Sequence, residues 1–324
     1  MEPREPLVTP PTGSSIAAIQ PARVVLPTRR GIKPGNYLTV AVFAGPALAL
    51  IALLIVYPTI KTIYNSFFTS VGIGYNQPLT YTGLTNYANM FTDTIIQTAI
   101  LNNILWIVIV TPATVGLGIA FAVLFDKVRY EFIAKSIVFI PMAISATAAG
   151  VIWRLMYADD VHVGTINAML NWIHIPPISF LGSTSFVNWA LFGAQVWMGI
   201  GFGVVVLSAA LKSIPSELME AARIDGANAW QIFRRITVPL IWPTVTVVAT
   251  LTMIVVLKIF DIVYTMTGGG PAGASEVLAT RMYIESFKNA NPGYGSAIAV
   301  ILLIAVLPIM AINIRRFRTE GPQK

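Results

Sequence analysis

The sequence predicts an all-α integral membrane protein that crosses the bilayer with six helices. Of its 324 residues, 56% are hydrophobic and only 11% are charged, and the mean hydropathy is +0.73. An average soluble domain carries about 25% charged residues. Apolar runs close to the length of about 20 residues that a transmembrane helix needs recur along the chain. They lie near residues 38–57, 101–124, 136–156, 187–211, 240–262 and 296–314.

The chain divides into one membrane domain and two terminal segments. Residues 1–36 are rich in Pro, Ser, Thr and Arg and are predicted to form a flexible arm. No short apolar core followed by a small-residue cleavage site occurs there, so a cleavable signal peptide is not expected. We assign residues 37–316 to the six-span domain and residues 317–324 to a tail.

The positions of the basic residues predict the orientation of the spans. Of the twenty-one Lys and Arg residues, sixteen fall in the arm, in the connections after the second and fourth runs, and in the tail. Basic loops stay on the cytoplasmic side of a membrane, so both termini and these two connections are expected in the cytoplasm. The net charge of +7 is therefore attributed to topology and not to nucleic-acid binding.

The residues that the chain lacks exclude several kinds of chemistry. Without cysteine there are no disulfides, thiolate metal sites or cysteine nucleophiles. The two histidines, His162 and His174, are too few for a catalytic zinc site and are interpreted as loop residues. The glycines at 268–270 are not followed by the Gly-Lys-Ser/Thr of a phosphate-binding loop. We therefore expect no catalytic residue, no metal site and no cofactor in this chain.

Two pairs of residues inside the spans are candidates for packing or for function. Gly199 and Gly203 lie four apart on one helix face and permit close helix contact, so packing is favoured over contact with a solute. Lys258 and Asp261 are three apart in the fifth run, where they could neutralise each other on one helix face. Charges inside a membrane mark either a pathway or a structural pair. Of the two, Lys258 is the candidate for contact with a solute.

The connection at 212–239 is patterned well beyond what a turn between spans requires. Pro215 suits the first position of a helix, where its missing N–H costs nothing. Glu217 then falls in the first turn, where the helix dipole favours an anion. Gly226 suits the left-handed residue that ends a helix. A first short helix is therefore predicted between Pro215 and Gly226.

A second short helix is predicted after this glycine. Asn228 and Gln231 have the spacing of a capping box, which begins a helix. Trp230 and Phe233 give the helix an apolar side, and Pro239 is expected to end it at the next span.

The first of these helices has a face of small and apolar residues. Leu218, Ala221 and Ala222 share that face, and the alanines allow another surface to approach closely. The pattern alone leaves two interpretations open. The helix pair either docks into a groove of a soluble partner or lies as an amphipathic pair against the membrane.

Residues 211–243 closely resemble the EAA motif of permease subunits in binding-protein-dependent ABC importers. They read LKSIPSELMEAARIDGANAWQIFRRITVPLIWP. In that family the first helix of the motif is the coupling helix, which seats in a cleft of the ATPase subunit. The resemblance implies that the coupling residues here are Glu220, Ala221, Ala222, Asp225 and Gly226.

Similarity to this family extends over most of the chain after residue 36. Segments that look like parts of carbohydrate permeases of the maltose and glycerol-phosphate type read YTGLTNYANMF (81–91), VIWRLMY (151–157), GTIN (164–167) and FDIVYTMTGGGP (260–271). The stretches VLKIFDIVYTMTGGGP (256–271) and EVLATRMYIESF (276–287) look most similar to permeases for α-glucosides. The resemblance implies the type I ABC importer permease fold in a bacterial cytoplasmic (inner) membrane.

The resemblance also implies the partners of the chain. A second homologous permease would complete an alternating-access pore, and an ATP-binding cassette ATPase dimer would hold ATP and Mg and drive it. An extracytoplasmic solute-binding protein would deliver the carbohydrate. The glycines at 268–270 then form either a flexible turn or a contact with that binding protein.

An ungapped alignment with the maltose permease, anchored on LKSIP and TGGGP, implies a solute site on the fourth and fifth spans. The aligned positions are Gln195, Met198, Gly199, Phe202, Thr252, Val255, Val256 and Ile259, to which Lys258 is added. Gln195 can hydrogen-bond sugar hydroxyls and Phe202 can stack on a sugar ring. Val256 and Ile259 stand where the maltose permease has asparagines, which argues against maltose itself.

Three other functions were weighed. A secondary transporter driven by an ion gradient would more often show paired broken helices and intramembrane acids in a duplicated pattern, and no repeat is evident. A membrane enzyme would need clustered carboxylates, histidines or nucleophiles, which the sequence lacks. An ABC permease for another solute class, such as amino acids or phosphate, is disfavoured by the TGGGP segment.

Overall fold

The computed structural model describes residues 36–70, 78–126 and 128–319. The predicted arm, apart from its last residue, and residues 320–324 of the predicted tail lie outside this part of the chain. The described α-helices are α1 Asn36–Ile51, α2 Tyr57–Asn65, α3 Thr85–Met90, α4 Thr94–Leu105, α5 Thr111–Phe125, α6 Glu131–Phe139, α7 Ala146–Met156, α8 Thr165–Trp172, α9 Val187–Lys212, α10 Ser216–Ile224, α11 Ala229–Ile232, α12 Val238–Leu257, α13 Asp261–Met266, α14 Leu278–Tyr283 and α15 Pro292–Thr319.

Several short elements connect these helices. Wider π-type turns occupy Ala52–Val56, Trp106–Val110, Phe233–Thr237 and Ile284–Lys288, and a 3-10 turn occupies Ile140–Ala143. The antiparallel strands β1 Phe68–Ser70 and β2 Leu79–Tyr81 form a hairpin, with Phe68 opposite Tyr81. The predicted all-α architecture is therefore confirmed, with this hairpin as an addition.

The described part of the chain falls into two compact units, which divide between Val56 and Tyr57. The described part of the first unit is α1 with the turn Ala52–Val56, and its apolar side chains are exposed in the isolated chain. The second unit holds the remaining helices and all three hydrophobic clusters.

Within the described residues, five helices are long and apolar enough to cross a membrane: Ala41–Asn65, Thr94–Phe125, Val187–Lys212, Ala229–Leu257 and Pro292–Ala311. They correspond to the first, second, fourth, fifth and sixth predicted spans. The last four run through the second unit. We refer to its two ends as the Lys212 end, where α9 finishes, and the Asp93 end, where α4 begins.

The third predicted span, 136–156, is not one straight helix. Glu131–Ala143 and Ala146–Met156 meet at a bend of 101°. The second half starts afresh because the Ser145 hydroxyl accepts a hydrogen bond from the Ala148 N–H (3.2 Å). In the first half of the bent pair, Lys135 contacts Ser208 of α9, and after the second half Tyr157 lies beside Gly193 of α9. Ser208 and Gly193 are separated by about 22 Å of helix at 1.5 Å per residue, so the bent pair covers most of one crossing.

Glycines bring α5 and α9 into close contact at the centre of the second unit. A Cβ on Gly118 would lie 3.3 Å from the carbonyl carbon of Gly203, and one on Gly199 would lie 3.3 Å from Thr114. The predicted packing role of Gly199 and Gly203 is confirmed.

The fifth span ends at Leu257, five residues before the predicted end. The Leu257 carbonyl accepts a hydrogen bond from the Asn103 amide (2.9 Å), whose oxygen accepts from the Leu278 N–H (2.9 Å). One side chain of α4 thus satisfies backbone groups at the end of α12 and the start of α14. Non-helical backbone is tolerated at membrane depth only where such partners exist.

Candidate functional site

The helix pair at the Lys212 end has the geometry that the sequence predicts. The first helix is α10, with Glu217 in its first turn, although Pro215 precedes the helix and does not occupy its first position. Gly226 has a φ of +79°. The Ala227 N–H donates to the Ala222 carbonyl (3.0 Å) and the Gly226 N–H to the Arg223 carbonyl (3.0 Å). These two bonds form a Schellman motif, which fixes the direction in which the chain leaves α10.

The capping box at the start of α11 is confirmed. The Asn228 side-chain oxygen accepts from the Gln231 N–H (2.9 Å), and the Gln231 side-chain oxygen accepts from the Asn228 N–H (2.8 Å). The prediction that Pro239 ends this helix is wrong. The helix passes through the π-type turn Phe233–Thr237 into α12 without ending, and Pro239 lies in the first turn of α12, directly after this wider turn.

The faces of α10 differ in their surroundings. Ala222 is buried, whereas Leu218 and Ala221 are exposed, so the predicted shared face is split between the interior and the surface. Ile224 is 87% exposed and Trp230 of α11 is 65% exposed. These exposed residues, which we call the docking surface, are Leu218, Ala221 and Ile224 of α10 and Trp230 of α11.

Little of the protein packs behind the helix pair. A cavity of about 330 Å³ lies between it and the ends of α5 and α9, and its lining includes Val123, Leu211, Met219 and Phe233. The ends of α6 and α9 are tied together more firmly. The Lys212 ammonium pairs with the Glu131 carboxylate at 2.7 Å, and Lys135 contacts both Glu131 and Ser208.

Of the five EAA-motif residues, Glu220, Ala221, Asp225 and Gly226 are exposed and Ala222 is buried. The buried alanine lies beneath the helix, where a larger side chain would push α10 away from the chain. The exposed four lie on or beside the docking surface.

The residues predicted to contact a solute fall into two groups. Val256 and Ile259 are buried in the core cluster that includes Trp106 and Phe192, and Gly199 packs on α5. Phe202 packs among the residues of α5, α9 and α12, and the Thr252 hydroxyl donates to the Val248 carbonyl of its own helix.

The second group is accessible or lacks a protein partner. Met198 is half-buried, and Val255 and Lys258 are exposed. Gln195 is only 8% exposed, and among the described residues no side-chain hydrogen bond involves its amide. An amide without a protein partner can hydrogen-bond a polar ligand.

The predicted pairing of Lys258 with Asp261 is wrong. Because α12 ends at Leu257 and α13 begins at Asp261, the two residues do not share a helix face. Lys258 borders an otherwise apolar cavity of about 520 Å³ with Met282 and Leu302. Asp261 borders a different cavity, of about 630 Å³, together with Arg154 and Lys288.

The glycine-rich turn after α13 is hydrogen-bonded on several sides. Gly268, Gly269 and Gly273 have positive φ values. The Thr267 and Ser275 hydroxyls lie 2.8 Å apart, and the Ser275 hydroxyl donates to the Gly270 carbonyl at 2.5 Å. A Cβ on Gly269 would lie 2.4 Å from a carboxylate oxygen of Glu276, so Gly269 admits no larger residue. This turn is held in place, which disfavours the flexible-turn interpretation.

Glu276 is the buried acid of this segment. Burial raises the pKa of its carboxyl group from 4.5 to about 7, against the opposing attraction of Arg281. Asn102 of α4 donates to the carbonyls of Ala274 (2.9 Å) and Glu276 (2.8 Å).

Sequence reasoning missed the two asparagines of α4. Asn102 and Asn103 stand together inside an apolar run, and two polar amides there require partners. That signal could have indicated a non-helical neighbour, although it could not have identified residues about 170 positions away.

Comparisons with known proteins agree with this geometry. The family described as "Binding-protein-dependent transport system inner membrane component" matches residues 114–317. The chain is 46% identical over 282 residues to the osmoprotective compounds uptake permease protein GgtC of Synechocystis sp., covering 86% of this chain and 98% of that protein. It is 38% identical over 297 residues to the alpha-glucoside transport system permease protein AglF of Rhizobium meliloti, covering 90% and 86%.

A solved structure shows the same fold. It is a chain of the bacterial alginate ABC transporter in complex with alginate pentasaccharide-bound periplasmic protein, with a TM-score of 0.76 at 22% identity over 89% of this chain and 97% of that chain. The fold predicted from the motif is thereby confirmed.

Proposed function

Because the chain belongs to the family of binding-protein-dependent transport system inner membrane components, we propose that it forms half of the pore of an ATP-driven carbohydrate importer. A second, homologous permease supplies the other half. A separate ATPase dimer binds ATP and Mg, and an extracytoplasmic binding protein delivers the solute.

The observation that carries this proposal is the docking surface on α10 and α11. Ile224 and Trp230 are large apolar residues that the described part of the chain leaves uncovered. Exposed apolar side chains on a helix with fixed ends fit the groove of a partner protein. The family match favours a protein partner over a helix pair that lies against the membrane.

The proposed mechanism follows from this position. ATP-driven closure of the ATPase draws α10 toward the corresponding helix of the partner permease. The motion passes through α11 into α12 and opens the solute site to the outside. Hydrolysis then returns the pore to its inward-facing state. Gln195 is proposed to donate to or accept from solute hydroxyls in this pathway.

The solute is proposed to be an α-glucoside or a similar glucosyl compound. The support is the name of AglF and the similarity of residues 256–271 and 276–287 to permeases of that type. GgtC, at 46% identity, is named for osmoprotective compounds, which favours a compatible solute as the second candidate. Competition of unlabelled solutes against the uptake of a labelled α-glucoside separates the two.

Ile224→Asp tests the proposed coupling. A carboxylate in an apolar groove is costly to bury, so the variant should lose the ATPase subunit when the complex is purified, and ATP-dependent uptake should disappear. Ile173→Asp is the matched control, because Ile173 is exposed and lies outside the helix pair. If Ile224→Asp retains both the ATPase and uptake, the docking assignment is wrong.

Labelling tests the proposed orientation. The chain contains no cysteine, so a single Ile224→Cys provides one reactive thiol at the docking surface. A membrane-impermeant maleimide should label it in inverted vesicles from cells that lack the ATPase subunit, where the docking surface is uncovered, and leave it unlabelled in intact cells. The reverse pattern would place the helix pair, and the basic connections with it, outside the cytoplasm.

A further inference from the structure

A cavity of about 630 Å³ with both charged and aromatic residues in its lining lies at the junction of α7, α13 and the turn Ile284–Lys288. Its volume falls within the range of about 300–1,000 Å³ that small-molecule sites occupy. The lining includes Thr147, Arg154, Asp261, Tyr264, Thr267 and Lys288. None of the nine residues predicted to contact a solute lines it.

Close contact between two helices forms one wall of the cavity. A Cβ on Gly150 of α7 would lie 2.9 Å from the Cβ of Thr265 in α13. Thr147 and Arg154 are three residues before and four residues after this glycine, so they share the face of α7 that meets α13. Asp261 is four residues before Thr265 and faces α7 in the same way. The contact therefore brings Arg154 and Asp261 to the same cavity.

The three charged groups of the cavity have no ionic partner in the described chain. Arg154, Asp261 and Lys288 are exposed, and none forms an ion pair with another described residue. Arg281 nearby differs, because its guanidinium pairs with the Glu285 carboxylate at 2.6 Å. Three charged groups therefore converge on one cavity and remain available to a ligand.

Aromatic rings complete the cavity. The Tyr264 ring stacks on Phe260 at 5.1 Å between centroids and 14° between planes. It also meets Tyr283 edge-on at 5.1 Å. The Lys288 ammonium lies 5.1 Å from the centroid of the Tyr264 ring. The cavity therefore places aromatic rings beside two cationic donors, one carboxylate and several hydroxyl groups.

This combination selects the class of ligand. One carboxylate is too few for a divalent cation, which needs several oxygen ligands. A simple anion would pair with Arg154 and Lys288 but would leave the Asp261 carboxylate without a hydrogen-bond donor. A sugar ring has hydroxyls that donate to a carboxylate, oxygens that accept from guanidinium and ammonium groups, and a C–H face that packs on an aromatic ring.

We propose that this cavity is a carbohydrate subsite, in which Asp261 accepts from the hydroxyls of a hexose unit and Arg154 and Lys288 donate to its oxygens. The subsite rests on the importer function proposed above. It is separate from the residues aligned with the maltose permease and holds the sugar on the α7–α13 side of the domain.

Equilibrium dialysis tests the subsite on the complete importer, purified in nanodiscs without the binding protein. Labelled maltose, trehalose and sucrose are the probes, and the sugar that the wild type binds is used for the variants. Arg154→Gln and Asp261→Asn should each weaken binding about tenfold or more, as expected for losing a hydrogen bond to a charged group. Lys61→Gln, which neutralises an exposed lysine outside the cavity, should change it less than twofold.

Two outcomes would overturn the subsite. Binding within twofold of wild type in both cavity variants would show that the sugar is held elsewhere. Loss of the partner permease from the purified Arg154→Gln and Asp261→Asn complexes would assign the cavity to the contact between permeases. Tyr264→Phe and Tyr264→Ala add a second test, because only the alanine removes the ring and should weaken binding.

ATP-dependent uptake by wild-type proteoliposomes supplied with the binding protein tests the importer function on its own. Uptake of a probe sugar combined with unaffected cavity variants would overturn the subsite and leave the function standing. Wild-type vesicles that take up none of the three sugars would instead overturn the carbohydrate assignment.

Discussion

The two ends of the helical domain are built in different ways. At the Lys212 end, α10 and α11 are shaped by bonds between residues at most five apart, and they leave Ile224 and Trp230 exposed. At the Asp93 end, the segment between α12 and α15 is held by Asn102 and Asn103, which lie more than 150 residues away in the chain. One end is a local structure that presents a surface, and the other is a long-range assembly that encloses polar groups.

The difference shows how each end resists change. A helix pair fixed by its own caps can move as a body without breaking contacts in the core. The segment at the Asp93 end cannot move relative to α4 without exposing backbone groups that α4 satisfies. We therefore expect substitutions at the Lys212 end to affect coupling, and substitutions at the Asp93 end to affect folding.

Asn103→Leu should have the largest effect. It removes the donor to the Leu257 carbonyl and the acceptor of the Leu278 N–H, leaving two buried backbone groups unsatisfied, at a cost of about 2–4 kcal/mol in total. Thermal unfolding in detergent should show a clearly lowered midpoint. Asn171→Leu, at an exposed asparagine of α8, should leave the midpoint unchanged. If the two variants had equal midpoints, the hydrogen bonds of Asn103 would not stabilise the Asp93 end, and the proposed difference between the two ends would be wrong.

Gly226→Val should abolish transport while leaving the fold intact. A β-branched residue at a φ of +79° costs roughly 1–3 kcal/mol, and the strain is relieved by changing the direction of the chain after α10. Uptake should fall more than tenfold with normal membrane insertion. Gly226→Asn is the matched variant, because asparagine tolerates this conformation, and it should retain most of the uptake. Normal uptake in Gly226→Val would show that the turn does not set coupling.

Gln195→Ala should raise the solute concentration for half-maximal uptake by roughly two- to tenfold, which corresponds to one hydrogen bond. The maximal rate should change little, since the residue is proposed to bind solute and not to couple. Val205→Ala, an exposed position on the same helix, serves as the control. A half-maximal concentration equal to that of the wild type would place the solute site away from α9.

Lys212→Ala should have the smallest effect. The lysine pairs with Glu131 at the surface, Glu131 keeps Lys135 as a second partner, and exposed ion pairs contribute little to stability. The thermal midpoint should be indistinguishable from that of the wild type. A marked decrease would mean that the Lys212 end is held more tightly than its open packing indicates.

The same contrast explains how much could be predicted from the sequence. At the Lys212 end, the capping box, the glycine turn and the helix pair are each determined by residues a few positions apart. All three were predicted. A close contact of α9 with another helix was predicted from Gly199 and Gly203, because small residues on one helix face indicate close packing. The partner helix was not identifiable in this way.

The errors occurred where polar groups interrupt apolar runs. Hydropathy counts Ser145 and Lys258 as minor breaks in long apolar segments, yet Ser145 caps a new helix and Lys258 follows the end of α12. Pro239 was predicted to end a helix because its position within the first turn of α12 could not be known. The cavity of Arg154, Asp261 and Lys288 combines three distant parts of the chain, and no spacing in the sequence brings them together.

The continuity of α11 with α12 makes this part of the chain a lever. Residues Ala229–Leu257 form one helix of 29 residues, about 43 Å long. Its short arm carries Trp230 at the docking surface. Its long arm ends at Leu257, whose carbonyl accepts a hydrogen bond from the Asn103 amide. A tilt of a few degrees at the short arm displaces the far tip by several ångströms, because displacement grows with distance from the pivot. A small movement of a partner at one membrane face can thus be magnified at the other.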